Sequence, residues 1–230
     1  MIQENIELVQ KNIELACQRA GRDATEVTLI AVSKTKPLAD IETAIACGMR
    51  EFGENKVQEL VDKIEHVSQP VHWHLIGHLQ TNKVKYIVDK GLLIHSVDSV
   101  KLAKEIQKEA EKKQAECNVL LEVNVAKEES KYGFSCEEVL AAVEEIAKLP
   151  RVHIQGLMTI APFVENPEDN RSVFAELHNL LLDIKSRNID NVNMSVLSMG
   201  MTNDYMVAVE EGATMVRVGT AIFGARNYNI

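Results

Sequence analysis

Lys34 stands at the end of the apolar run Leu29-Ile-Ala-Val32. An amine drawn out of water by a buried strand loses solvation, its pKa falls, and it can condense with a carbonyl as a Schiff base. The competing reading is a rim lysine that pairs with a carboxylate such as Glu54. Lys36 is a second candidate, held extended by Pro37 and placed on the same side as Lys34 two residues on. Far along the chain, Ser198-Met-Gly-Met-Thr202 and Arg217-Val-Gly219-Thr220 mix small residues with hydroxyls. Such segments let backbone N–H groups close on an anion such as phosphate, and Ser198, Thr202 and Thr220 could add donors. The simpler reading gives Gly200 and Gly219 only to tight turns. Arg217 lies within a strand and needs a partner there, either a carboxylate or an aromatic ring nitrogen. His72 and His74 form an H-x-H pair that points to one side of a strand and suits zinc, with His78 nearby. No third ligand has a recognisable spacing, so His74 reads better as a packed or hydrogen-bonding site residue. GxSxG, GxxxxGK[ST] and GxGxxG are all absent from the sequence, which leaves hydrolase-elbow, P-loop and dinucleotide-fold readings without support.

These residues are spaced by a regular alternation. Ile2, Ile6, Val9, Ile13 and Ala16 mark one face of a helix that Gly21 should stop. The run from Glu26 to Lys34 reads as a strand buried on both faces. Pro37 opens a helix with Leu38, Ile41 and Ile45 inward. Short strands follow at 50–52, 71–76, 92–97, 118–125, 153–160, 194–198 and 214–218. Helices between them carry Val57, Leu60, Val61 and Ile64; Val84, Ile87 and Val88; residues 99–115; Val139, Val143 and Ile146 behind a Ser135/Glu138 capping box; Phe174, Leu177, Leu181 and Ile184; and residues 204–211 before Gly212. Eight strands interleaved with helices, plus one leading helix, predict an α/β fold: a single (β/α)8 TIM barrel over 1–230. A doubly wound open sheet is the alternative. In a barrel the site lies at the C-terminal ends of the strands, which is where Lys34, Asn55, Met158, Thr202 and Gly219 fall.

Bulk properties narrow the classes. The 230 residues carry a net charge of −9 with both signs mixed along the chain, and no basic face suggests a nucleic-acid partner. The stretch from Lys101 to Lys113 includes Glu105, Glu109 and Glu111 and reads as a solvated helix face. The N-terminus has no charged head before an apolar run, and no apolar stretch reaches membrane-spanning length. Cys17, Cys47, Cys117 and Cys136 are scattered, as for free thiols in a reducing compartment. The expectation is a cytoplasmic protein with no membrane partner.

Seven blocks then carry a resemblance: AVSKTKP (31–37), FGEN (52–55), WHLIGHLQTNK (73–83), ESKYG (129–133), GLMTI (156–160), LSMGMTND (197–204) and VRVGTAIFGAR (216–226). In this order, and over essentially the whole chain, they resemble the pyridoxal-phosphate homeostasis family of the YggS/PROSC type. The resemblance implies a barrel similar to the N-terminal domain of alanine racemase, with pyridoxal 5′-phosphate as cofactor. It implies that Lys34, rather than Lys36, holds the cofactor as a Schiff base. Ser198, Met199, Gly200, Thr202, Gly219 and Thr220 would hold the phosphate, and Arg217 would face the pyridine nitrogen. Asn55 and His74 would line the pocket, with Met158 from the GLMTI block. Lys56 departs from the many relatives with an aromatic after FGEN. In the racemase a second domain and subunit supply the second catalytic acid, and here the chain ends at Ile230, a few residues past the last strand. The expectation is a monomeric carrier or buffer of the cofactor that hands it to apo-enzymes, with weak amino-acid racemisation as the alternative.

Overall fold

In the computed structural model, which describes residues 1–128 and 131–225, eight parallel strands close into a barrel in sequential order. They are β1 (Thr28–Val32), β2 (Glu51–Glu54), β3 (His72–Leu75), β4 (Leu93–Val97), β5 (Cys117–Glu122), β6 (Val152–Met158), β7 (Val192–Met201) and β8 (Met215–Val218). Closure is explicit: β1 pairs with β2 on one side and with β8 on the other, Ile30 level with Arg217. The open-sheet alternative is excluded. Buried apolar crossovers explain the parallel order, since each strand must be returned to the same end by a connection that covers its outer face.

The helices are α1 (Ile2–Ala20), α2 (Leu38–Ala46), α3 (Val57–His66), α4 (Val100–Lys113), α5 (Val139–Ile146), α6 (Arg171–Ser186), α7 (Tyr205–Glu210) and the short α8 (Thr220–Phe223). Among the described residues none is long and apolar enough to cross a membrane. Gly21 ends α1 in the left-handed conformation, as its position predicts. The Ser135/Glu138 box forms, each backbone N–H donating to the other's side chain at 3.2 Å just ahead of α5.

One expected helix takes another form. Val84, Ile87 and Val88 are buried as expected, but Thr81–Tyr86 is a 3-10 helix. The three-residue step from Val84 to Ile87 fits its tighter pitch. β7 also runs past the expected Ser198 to Met201, and one extra residue bulges it against β8: Ser198 is level with Met215, Met201 with Arg217.

The main core fills the layer between barrel and helices. Ile30, Ile76, Leu120 and Met158 are buried apart from that layer, and a Cβ on Gly53 would sit 3.0 Å from Ile30 and 3.1 Å from Ile76. These residues fill the barrel's interior. The extra helix α1 lies on the β7–β8 side: Asn5 donates to the Ile222 carbonyl, Asn12 to the Tyr205 hydroxyl, and Arg22, just past the helix, to the Val209 and Ala213 carbonyls. It therefore braces the two short helices that follow the strands of the predicted anion cradle.

Candidate functional site

Lys34 is half-buried in the turn that leaves β1, and its neighbours are pinned on all sides. The turn is closed by the Lys36 N–H donating to the Ser33 carbonyl at 3.0 Å. The Ser33 hydroxyl donates to Glu54 Oε1 at 2.6 Å, and Lys63 Nζ reaches the Ser33 carbonyl, Glu54 Oε1 and Glu59 Oε1, each at 2.7 Å. The Thr35 N–H donates to the same Glu59 oxygen at 2.5 Å. Thr35 has φ of 62°, a left-handed conformation that a β-branched residue rarely adopts. Strain of this kind, about 1–3 kcal/mol, persists where the surroundings over-determine it.

Glu54 and Lys63 are both buried, and burial raises the Glu54 carboxyl above its ordinary value while Lys63 opposes that shift. Glu54 Oε2 has no hydrogen-bond partner among the described residues. The rim pairing of Glu54 with Lys34 thus meets a carboxylate already engaged by Ser33 and Lys63.

Lys36 has a different role from the one its spacing suggested. Its Nζ donates to the carbonyls of Phe223 (2.9 Å), Gly224 and Ala225 (3.3 Å each), holding the last turn of α8. The left-handed step at Thr35 breaks the extended geometry that would have placed Lys36 beside Lys34.

The two segments expected to cradle an anion come together at the ends of β7 and β8. Gly200 has φ of +91°, and a Cβ there would lie 2.5 Å from the Ala208 Cβ and 2.9 Å from the Tyr205 Cα. Only glycine lets α7 close on the strand. The Met201 N–H donates to Asp204 Oδ1 at 2.7 Å, and Asn170 holds Asp204 Oδ2 at 2.8 Å. The Gly219 N–H reaches Thr202 Oγ1 at 3.4 Å, so the two segments meet. Gly219 caps the N-terminus of α8, whose first N–H groups have no partner within the helix. Thr202 is half-buried and Thr220 exposed at this rim, whereas Met199 is fully buried and offers only its backbone. Asn55 follows β2, and the close approach of Gly77 fixes its backbone: a Cβ on Gly77 would stand 2.4 Å from the Asn55 carbonyl oxygen.

Arg217 is 3% exposed inside the barrel. Its partners are neutral: Nη1 donates to Ser198 Oγ at 2.5 Å and Nη2 to the Thr159 carbonyl at 2.8 Å. Burial lowers its pKa to about 10, with Glu122 and Asp204 opposing, which leaves it charged at neutral pH. The Ser198 hydroxyl is therefore committed inside the barrel, to Arg217 and to His95 Nδ1 at 2.9 Å, and its expected gift to an anion is replaced by a grip on Arg217. His74 lies deeper than its expected place on the pocket wall: Nδ1 meets His95 Nε2 at 2.9 Å and Nε2 meets Glu51 at 2.8 Å. Both of its nitrogens are spent on protein. His72 shares Glu51 with His74, each on its own carboxylate oxygen, and His78 partners Asp98, so the three histidines do not converge on one centre.

Four residues of this site carried no motif in the sequence: Glu51, Lys63, His95 and Glu122. Glu122 ends β5, is 6% exposed, and is pushed up to about 7 by burial first and then by Asp98. His95 left a weak signal, an imidazole inside the apolar strand Leu93–Val97. Met158 is level with Glu122 on one side and Ser198 on the other, inside the barrel mouth. Glu129 and Ser130 of the ESKYG block and Arg226 of the last block lie outside the described residues.

The arrangement joins an amine at a pinned turn, two closely packed glycine-containing segments and a buried donor-only cation. Comparison with known proteins adds the family context. The family model described as "Alanine racemase, N-terminal domain" matches residues 5–227. A protein of Aquifex aeolicus (strain VF5) named pyridoxal phosphate homeostasis protein is 46% identical over 98% of both chains. The structure of PipY from Synechococcus elongatus PCC7942 with PLP bound superposes with a TM-score of 0.82 at 34% identity, covering 97% of this chain and all of that one. Alanine racemase of Clostridium difficile 630 shares the fold at a TM-score of 0.75 and 13% identity, and this chain covers 58% of it.

Proposed function

The chain belongs to the alanine racemase N-terminal domain family and, within it, to the pyridoxal phosphate homeostasis proteins, and from that premise we propose that it binds pyridoxal 5′-phosphate on Lys34 and carries or buffers it. The residues present fit this cofactor. Lys34 supplies the amine, the Gly200–Thr202 and Gly219–Thr220 backbone suits the phosphate, and Arg217 suits the ring nitrogen. Asn55 and Met158 border the space between them.

The observation that carries the non-catalytic reading is Arg217. When bound, pyridoxal phosphate supplies an aldehyde for an amine to hold and a ring that draws electrons best with its nitrogen protonated. Arg217 has N–H groups and no acceptor. Opposite it, a ring nitrogen is kept as an acceptor, which weakens carbanion chemistry. We place the protein in the reducing cytoplasm, in keeping with its four free thiols, as a single-domain monomer that supplies apo-enzymes.

The second reading, weak racemisation, has one observation in its favour. Glu122, with its pKa near 7, stands at the barrel mouth as a group able to exchange a proton, and racemisation needs a proton donor or acceptor on each face of the α-carbon.

The test of cofactor attachment is borohydride reduction of cofactor-loaded protein followed by peptide mass analysis. The expected label is on Lys34. A label on Lys36, or none, would remove the proposed anchor.

A further inference from the structure

The hydrogen bonds that begin at Arg217 do not stop at Ser198. They continue through His95 and His74 to Glu51, five side chains joined by contacts of 2.5, 2.9, 2.9 and 2.8 Å across the barrel interior. Ser198, His95 and His74 are all nearly or fully buried. Glu51 is the one member of the line exposed by more than a few per cent, at the N-terminal mouth, where an opening of about 290 Å³ is lined by Glu51, His72, His74, Leu93 and Asn118. Its other oxygen meets His72 Nδ1 at 2.6 Å. The cofactor reading uses the Arg217 end of this line and gives no reason for the rest.

The two ends dictate a direction. A guanidinium only donates, and an ionised carboxylate only accepts. Glu51 is held ionised, since its histidine hydrogen bonds outweigh its burial and lower its pKa. If each histidine carries one proton, the His74 proton must sit on Nε2 to reach Glu51. His74 Nδ1 then accepts from His95 Nε2–H, and His95 Nδ1 accepts the Ser198 hydroxyl proton. Ser198 is left with its lone pairs toward Arg217. Every donor and acceptor along the line is satisfied in this one arrangement. Burial, together with the nearby His74 and Arg217, holds His95 well below its ordinary value, which favours its neutral form.

We propose that Glu51 is a remote positioning residue for the cofactor ring: it fixes both histidines as Nε2–H tautomers, orients the Ser198 hydroxyl away from Arg217, and so sets the guanidinium that faces the ring nitrogen. Glu51→Gln probes this without emptying the space. A glutamine can accept from His74 through its oxygen or donate to it through its nitrogen, so both directions of the line become competent. In the reversed direction His95 Nδ1–H donates to Ser198, whose own hydrogen is displaced into the Arg217 contact.

This inference rests on the cofactor reading only for its last consequence, and the experiment separates the two. Cofactor-free protein labelled with 15N at its seven histidines gives long-range proton–nitrogen correlations, assigned by the signals lost in H74Q and H95Q. The expected wild-type result is Nε2–H at both His74 and His95, with a second, Nδ1–H population at both in E51Q. A doubly protonated His74, an Nδ1–H His95 in the wild type, or unchanged tautomers in E51Q would overturn the proposal.

The second arm uses protein loaded with pyridoxal phosphate. E51Q should release the cofactor about threefold to tenfold faster, the effect of disturbing one hydrogen bond. Altered tautomers with unchanged release would refute the link to the ring. Failure of the wild type to bind pyridoxal phosphate would refute the cofactor reading and leave the tautomer result standing.

Discussion

Glu122→Gln should stabilise the cofactor-free protein, and by an amount that grows with pH. Glu122 is nearly buried at the end of β5, and its carboxyl is raised from 4.5 to about 7, by burial first and then by Asp98, with Arg217 and Lys131 opposing. Between those values the folded protein holds a proton that the unfolded chain has released. The unfolded state binds fewer protons, so this group's contribution to stability falls as pH rises, beginning near the unfolded pKa and levelling off above the folded one. At about 1.4 kcal/mol per pH unit the full loss is about 3.5 kcal/mol, of which about 2.5 kcal/mol accrues between about pH 5 and about pH 8.5. Glutamine keeps the shape and has no charge to desolvate. Urea unfolding of wild type and E122Q at those two pH values should show the variant's advantage widening by that amount. Taking the difference between the two proteins cancels the titration of every other group. Parallel stability–pH curves would refute the reasoning, because they would mean that Glu122 pays no penalty for ionising where it sits.

Other substitutions test the parts that position the site. Lys63→Met strips the buried Glu54 of its cation and should cost about 3–5 kcal/mol in urea unfolding, and Glu54→Gln in the same background should recover part of that loss; no recovery would mean that Lys63 acts by packing alone. Gly200→Ala places a Cβ against Ala208 at a positive φ and should cost at least about 1–3 kcal/mol, together with weaker retention of pyridoxal phosphate; wild-type stability would show that α7 does not close on β7 as described. Lys34→Ala should keep the circular dichroism spectrum and lose the visible absorbance of lysine-bound cofactor. Lys36→Ala should keep that absorbance, because Lys36 is tied to the end of α8, and its loss in K36A would return Lys36 to candidacy.

The layout of the barrel was readable from period and punctuation, because each strand is an apolar run between turn residues and each helix shows a single apolar face. Gly21, Pro37 and the Ser135/Glu138 pair mark boundaries by local chemistry, and these needed no knowledge of the rest of the chain. What escaped depends on the register of a closed sheet. His74 and His95 lie on neighbouring strands and Ser198 on one far along the chain, and only closure brings the three into line. Lys63, on α3, reads in sequence as an ordinary helix cation, yet it holds the turn that presents Lys34. The role of Lys36 turns on one dihedral angle at Thr35, which no spacing argument reaches. The bulge in β7 likewise moved Met199 and Gly200 from loop into strand.

The claim that the cofactor is held for delivery rather than used for catalysis is tested most directly by α-proton exchange. Protein loaded with pyridoxal phosphate is incubated in D2O with a panel of L- and D-amino acids and followed by NMR, with Lys34→Ala as control. The account predicts no exchange beyond that of the K34A control from protein whose absorbance shows full loading. Exchange that depends on Lys34 would contradict it and make the site a working, if weak, catalyst with Glu122 as the first group to test on the opposite face.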